Sequence, residues 1–311
     1  MSNLGQITAI LRTDPGRVRD HNEDFVAYWE PSNQDEEEKN GWLYIVADGV
    51  GGADAGEVAS EMTTERTIDH FRAHADEPDW GQRLVNAMQT ANTDLRQYVL
   101  DRNDNSRMAT TMVAAVLQEN RAIIANVGDS RGYLWRNGRI QQITKDQSLV
   151  AKLVEEGAIT EEEAHFHPRR NVILYSLGSE RSPKIDLFEQ TLETDDILFL
   201  CSDGLTRHVL DDEIALILSE EPPEKAATTL IGRANERGGE DNISVGIIRY
   251  EAETAVSPQK NNQTRVESLV AAGGAPATQL VLNRSLLWLY TLSLTLVQTI
   301  LIFLVWLLLR V

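Results

Sequence analysis

Apolar and polar positions along the first 250 residues follow two different periods. Short unbroken apolar runs at 43–47, 123–127, 197–201 and 243–248 have the length and composition of buried strands. Runs at 7–11 and 25–29 read the same way. Residues 56–74 and 80–102 repeat at helical spacing instead; in the second stretch Leu84, Met88, Ala91, Leu95 and Val99 share one face, which predicts a core-facing helix. Further strands are expected at 112–118, 122–127, 132–135 and 139–144, with Asn137-Gly138 marking a hairpin between the last two. The acidic insert 35–38, between Trp29 and Trp42, reads as a solvated loop. Blocks of strands, then helices, then strands predict an α+β fold with mostly antiparallel sheets.

Four of the apolar runs are bounded by an acid. Residues 43–47 lead into Asp48-Gly49, 123–127 into Gly128-Asp129-Ser130, and 197–201 into Ser202-Asp203-Gly204, while Asp241-Asn242 opens 243–248. Asp is disfavoured within strands and is rarely buried unpaired. Strands that each end in Asp gather carboxylates at one rim of a sheet. Gathered carboxylates repel, and a cation of high charge relieves the repulsion. The pattern points to a hard divalent-metal site.

Composition narrows the class. Lys plus Arg number 29 against 48 Asp plus Glu, a formal net charge of −19. Sequence-independent nucleic-acid binding needs the opposite sign, so no nucleic-acid partner is expected. The single cysteine, Cys201, lies inside a strand run and cannot form an internal disulfide. It reads as a small buried hydrophobe.

The C-terminal part has a different character. Residues 251–283 turn polar, small and irregular, the composition of a flexible linker. Residues 285–309 carry no charge and are bracketed by Arg284 and Arg310, with Trp288 and Tyr290 near one end and Trp306 near the other. That exceeds the roughly 20 residues a helix needs to cross a bilayer, and the aromatic positions suit the two interfaces. The expectation is a single C-terminal transmembrane helix in the lipid bilayer. The first 16 residues contain no apolar run of signal-peptide length, so the domain before the anchor, residues 1–250, is expected on the cytoplasmic side of the membrane. Thr291, Thr295, Gln298 and Thr299 share one face of that helix. They serve either weak dimerisation through the anchor or ordinary bonding back to the helix backbone.

One further stretch, Arg19-Asp20-His21-Asn22-Glu23-Asp24, completes a set. With Asp48-Gly49-Val50-Gly51-Gly52, Gly128-Asp129-Ser130-Arg131, Ser202-Asp203-Gly204 and Glu240-Asp241-Asn242, all in order, the chain closely resembles the metal-dependent serine/threonine protein phosphatases of type 2C, in their bacterial branch, over about residues 7–248. The resemblance implies an α-β-β-α four-layer sandwich, two antiparallel β-sheets flanked by helices. It implies two Mn²⁺ or Mg²⁺ ions, with Asp48 bridging both, Asp203 and Asp241 completing one, and the Gly49 carbonyl contributing to the other. Glu23 and Asp24 then act through metal-bound waters, Asp129 with Asp203 holds a weaker third ion, and Arg19 binds the substrate phosphate. All-oxygen ligands suit these metals, and two ions a few ångströms apart make a nucleophile of a shared water. The implied partners are phosphorylated proteins, targets of a serine/threonine kinase.

Residues 142–180 resemble the flap of bacterial members. Leu149, Val150, Leu153 and Val154 predict a short amphipathic helix there, and Thr160-Glu161-Glu162-Glu163 a capping box for the next. His165 and His167 are two histidines without further ligands, which reads as solvated loop histidines or contacts to an acidic phosphoprotein rather than a zinc site. Arg131 is expected to serve the fold through an ion pair. Ala109 stands where the family commonly places Gly, and Val50 where eukaryotic members carry a histidine. Two other readings compete with the membrane-tethered phosphatase: a catalytically silent, membrane-anchored phosphoprotein-binding module, and a small-phosphoester phosphatase.

Overall fold

The computed structural model describes residues 6–51, 55–102, 107–251 and 265–268. Contacts divide the chain at residue 271, and the unit 272–311 lies outside the described residues. In chain order the elements are β1 (Gln6–Asp14), β2 (Asp24–Trp29), α1 (Gln34–Asn40), β3 (Trp42–Val50), α2 (Ala55–Ala73), α3 (Trp80–Arg102), β4 (Ala109–Thr110), β5 (Met112–Gln118), β6 (Arg121–Val127), β7 (Arg131–Arg136) and β8 (Arg139–Gln142). There follow α4 (Leu149–Glu155), α5 (Glu161–His165), β9 (Asp186–Thr191), β10 (Ile197–Cys201), α6 (Asp203–Thr206), α7 (Asp211–Glu220), α8 (Pro223–Glu236), β11 (Ile243–Glu251) and β12 (Arg265–Ser268).

Two sheets form. One has the order β12-β1-β11-β10-β7-β8, the other β2-β3-β5-β6-β9 with β4 paired to β3. Strand pairs are antiparallel apart from β1 with β12. Side chains alternate between faces, and both faces are covered. In β3, Tyr44 and Val46 enter the core between the sheets, while Leu43, Ile45 and Ala47 pack outward with Phe71, Leu84 and Met88 of α2 and α3. In β10, Leu198 and Leu200 face inward, and Phe199 packs outward with Leu230 and Ile231 of α8. Each such buried side chain contributes roughly 1.5–3 kcal/mol. Double coverage is the reason these runs are continuously apolar rather than alternating. The layers are helix, sheet, sheet, helix.

Asn137 and Gly138 both take positive φ, +50° and +78°, as a tight two-residue hairpin requires. The acidic insert differs from its reading as a loop: residues 34–40 are the helix α1. The Asn33 side chain accepts from the Glu36 amide, acids fill the first turn, and Lys39 pairs with Asp35 at 2.7 Å. A capped end and favourable charge order hold this short helix where composition alone predicts solvent. Asp48 differs too. It lies inside β3, directly opposite Asp24, rather than beyond the strand's end. Four residues of the expected linker form β12, alongside β1, so that stretch is not uniformly unstructured. No helix among the described residues is long and apolar enough to cross a membrane, and the expected anchor at 285–309 lies outside them.

Candidate active site

The register of β2 on β3 sets the site. Asp24 faces Asp48 across the pair, and two-residue periodicity puts both on the same side as Val26 and Val46, which line the space between the sheets. Asp24 is buried, and its Oδ2 accepts from Ser202 Oγ at 2.7 Å. Ser202 in turn accepts from the Ser244 amide at 2.9 Å, and Ser244 Oγ reaches Thr13 at 2.8 Å. This chain of hydroxyls ties β2 of one sheet to β10, β11 and β1 of the other.

The remaining acids arrive from three turns. Asp129 follows β6 and is buried; Asp203 is the first residue of α6; Asp241 precedes β11. Burial raises the Asp48 carboxyl well above its ordinary range, and the charges of Asp24, Asp203, Asp129 and Asp241 raise it further. Burial likewise lifts Asp24 to about 7, with Asp203 and Asp241 adding to the rise, and Asp129 to about 8, with Asp203 and Asp146 adding. Asp203 is raised by burial, against the lowering charge of Arg207. The five carboxylates thus form one electrostatic unit. Oδ1 of Asp24, Asp129 and Asp203 is buried without a hydrogen-bond partner.

Glu23 stands beside this group, half-buried and raised chiefly by burial. Its backbone carbonyl accepts from Gly49 N at 3.0 Å and Ser60 Oγ at 2.6 Å, and the Gly56 amide donates to its carboxylate. Gly49 is confined: a Cβ there would overlap the Gly56 carbonyl oxygen and fall 2.5 Å from that of Glu23. Only glycine lets β3 approach α2 this closely. Thr110 Oγ1 and the Thr111 amide donate to the Asp48 carbonyl at 2.8 and 2.9 Å, holding the strand behind the carboxylate.

Arg19 projects from the loop between β1 and β2, about half exposed, with Nη2 at 2.9 Å from Asp241 Oδ1. Asn242 fixes that loop. Its side chain accepts from the Glu23 amide at 2.8 Å and donates to the carbonyls of Pro15 and His21, each at 2.9 Å. Arg131 makes the anticipated ion pair, with Asp146 at 2.7 Å, and its charge also acts to lower the Asp203 carboxyl.

All eight residues singled out from sequence (Arg19, Glu23, Asp24, Asp48, Gly49, Asp129, Asp203 and Asp241) therefore come to one end of the inter-sheet space. They do not close on a common point. Among the described residues no three His, Cys, Asp or Glu are arranged to hold an ion as they stand. Arg207, which sequence reasoning passed over, bridges Asp203 and Asp241. Its four-residue spacing from Asp203 was the available signal. The role of Asn242 depends on contacts with residues 219 to 227 positions away, which no local signal carries. The donor set nonetheless fits a hard cation: it is all oxygen, mutually repelling, and has three unpartnered buried carboxylate oxygens.

The flap is rooted at both ends. Gln147 accepts from the Gly128 amide at 2.9 Å beside Asp129, and Asn92 and Arg96 of α3 bond the backbone at 178–181. The capping box of Thr160 and Glu163 forms as expected. His165 packs edge-on against Phe166, whereas His167 Nδ1 accepts from the Arg169 amide, so the two serve different local contacts.

Comparison with known proteins gives the site its family. Residues 20–241 match the family model "Protein phosphatase 2C". A serine/threonine phosphatase of Listeria innocua, stp, is 41% identical over 247 residues, covering 77% of this chain and 94% of that protein. The crystal structure of Stp1 from Staphylococcus aureus is similar at a TM-score of 0.72 and 35% identity, covering 81% of this chain and 98% of that one. The catalytic domain of PstP, a serine threonine protein phosphatase, solved in complex with two manganese ions, matches at a TM-score of 0.67 and 33% identity, covering 79% of this chain and 99% of that one. The chain belongs to the protein phosphatase 2C family and is a serine/threonine protein phosphatase of the bacterial type.

Proposed function

We propose that this chain hydrolyses phosphoserine and phosphothreonine in proteins at the carboxylate cluster, with two Mn²⁺ or Mg²⁺ ions bound there and Asp129 contributing to a weaker third. The single observation that carries the reading is the convergence of Asp24, Asp48, Asp129 and Asp203, each raised chiefly by burial, with Asp241 beside them and Arg19 at their edge. Asp48, Asp203 and Asp241 would ligate the ions directly with the Gly49 carbonyl, while Glu23 and Asp24 act through water. When bound, the ions supply Lewis-acid activation of a water molecule and neutralise charge on the phosphate.

The rest falls to the chain's own groups. Arg19 presents a planar fork of donors suited to two phosphate oxygens. Asn242 holds the Arg19 loop at a fixed distance from Asp241, and Ser202 fixes the orientation of Asp24. The flap, rooted at Gln147 and at 178–181, forms one wall that a phosphoprotein would meet. Purified full-length chain should hydrolyse p-nitrophenyl phosphate and a phosphothreonine peptide with Mn²⁺ and lose both activities in EDTA and in Asp203→Ala. A folded chain with metal-independent turnover, or none with any divalent ion, would overturn the reading.

The substrates proposed are targets of a serine/threonine kinase near a membrane. Support for the membrane comes from the 25 uncharged residues at 285–309 and their interfacial aromatics. The face of Thr291, Thr295, Gln298 and Thr299 would be the dimer contact. Full-length chain should sediment with membranes and chain ending at 271 should not; equal partition of the two would refute the anchor. Crosslinking that does not depend on the anchor would refute the dimer.

A further inference from the structure

The carboxylate cluster already contains a cation of the protein's own. Arg207 follows Asp203 by four residues at the end of α6, so local geometry delivers its side chain to that carboxylate. Its guanidinium donates to Asp203 Oδ2 through Nη2 and to Asp241 Oδ2 through Nη1, the latter at 2.7 Å. The side chain is 18% exposed, against 48% for Arg19, whose Nη2 donates to the same Asp241 Oδ2 at 3.1 Å and lies 2.9 Å from Oδ1, where the Asn242 amide also donates. One oxygen of Asp203 and both of Asp241 are therefore occupied by N–H donors. Meanwhile Oδ1 of Asp24, Asp129 and Asp203 is buried without a partner, and Asp24 and Asp129 are only 5% and 6% exposed. Arg207, with Arg19 at the edge, thus satisfies one side of the cluster and leaves the other unmet. A flat fork serves two carboxylates well; it cannot reach five.

We propose that Arg207 is the resident counter-cation of this centre and is displaced when divalent ions enter, so that metal uptake is an exchange and Arg207 sets the affinity. The proposal rests on the cluster being the metal centre. An entering ion must break two charge-assisted hydrogen bonds, which are about twice as strong as neutral ones. With the guanidinium removed, the metal-free carboxylates keep their repulsion and the ions meet no internal competitor. Both effects tighten metal binding. Free Arg207 would then stand beside Arg19, within reach of a phosphate.

The test is Mn²⁺ binding by full-length chain, read by calorimetry and by the paramagnetic resonance of free Mn²⁺, together with melting in the presence and absence of saturating Mn²⁺. Arg207→Gln keeps polarity and approximate length without the charge. It should bind Mn²⁺ about tenfold to a hundredfold more tightly, from the strength of hydrogen bonds to charged groups. Its metal-free form should melt lower than wild type and its Mn²⁺-saturated form close to it. Arg207→Lys keeps the charge but loses the fork, and should fall between the two. Wild-type or weaker Mn²⁺ affinity in a folded Arg207→Gln overturns the exchange while leaving the metal centre intact. Absence of Mn²⁺ binding in wild type and variant alike overturns the metal centre and the exchange with it.

Discussion

Asn242→Ala tests how the loop that carries Arg19 and Glu23 is held. The Asn242 side chain is buried and makes three hydrogen bonds, one accepted from Glu23 N and two donated to the Pro15 and His21 carbonyls, all between 2.8 and 2.9 Å. Alanine removes all three and leaves the Glu23 amide and two carbonyls facing a void. At about 0.5–1.5 kcal/mol per bond, the loss is about 2–4 kcal/mol. For a domain of this size that lowers the melting temperature by about 5–15 °C. The loop keeps two other ties, Arg17 and Val18 amides to the Gly239 carbonyl and Asn22 to Thr13, so it loosens rather than unfolds. Re-ordering a loosened residue around phosphate costs about 1–2 kcal/mol. KM for a phosphothreonine peptide should therefore rise roughly fivefold or more, with a smaller change in kcat. The assay is thermal melting by circular dichroism beside steady-state kinetics at saturating Mn²⁺. A variant that melts within about 2 °C of wild type with an unchanged KM would refute the assignment.

Other consequences are equally accessible. Because Asp24 and Asp129 are raised from an ordinary 3.8 to about 7 and about 8, the folded metal-free chain binds protons that the unfolded chain has released. Its stability should fall as pH rises from about 4 to about 8, with the cost fully present above that window. Mn²⁺ binding at about pH 6 should release protons, visible as a dependence of calorimetric heat on buffer ionisation, and heats identical across buffers would contradict it. Gly49→Ala drives a Cβ into two backbone carbonyls and should cost about 3 kcal/mol or more, whereas Gly138→Ala, with open space around it, should cost only the left-handed strain of about 1–2 kcal/mol. Similar melting of the two variants would refute the packing argument. Arg83 is buried and donates to the carbonyls of Phe71 and Lys39 and to Asn40, joining the ends of α1 and α2 to α3. Arg83→Met should lose about 3–5 kcal/mol in denaturant titration while leaving Mn²⁺ affinity unchanged.

Much of the architecture was legible because burial on both faces writes an unbroken apolar run. The runs at 43–47 and 197–201 are strands with a helix layer on one side and a sheet on the other. The acids bounding those runs were legible for the opposite reason: a carboxylate so close to a core has few structural uses. Local hydrogen bonds were less visible. Asn33 capping Glu36 turned an acidic stretch into α1 against its bulk composition.

Sequence by itself determined most of the strands and the long helices, the acidic residues at or near strand ends and the family those residues spell, because each is a property of a few neighbouring positions. Only the tertiary structure decided that Asp24 faces Asp48, that Asn242 holds the Arg19 loop, and that Arg207 bridges Asp203 to Asp241. These are contacts between strands and turns distant in the chain, fixed by register and packing. The force they answer, mutual repulsion of buried carboxylates, arises only once the fold has brought those charges together.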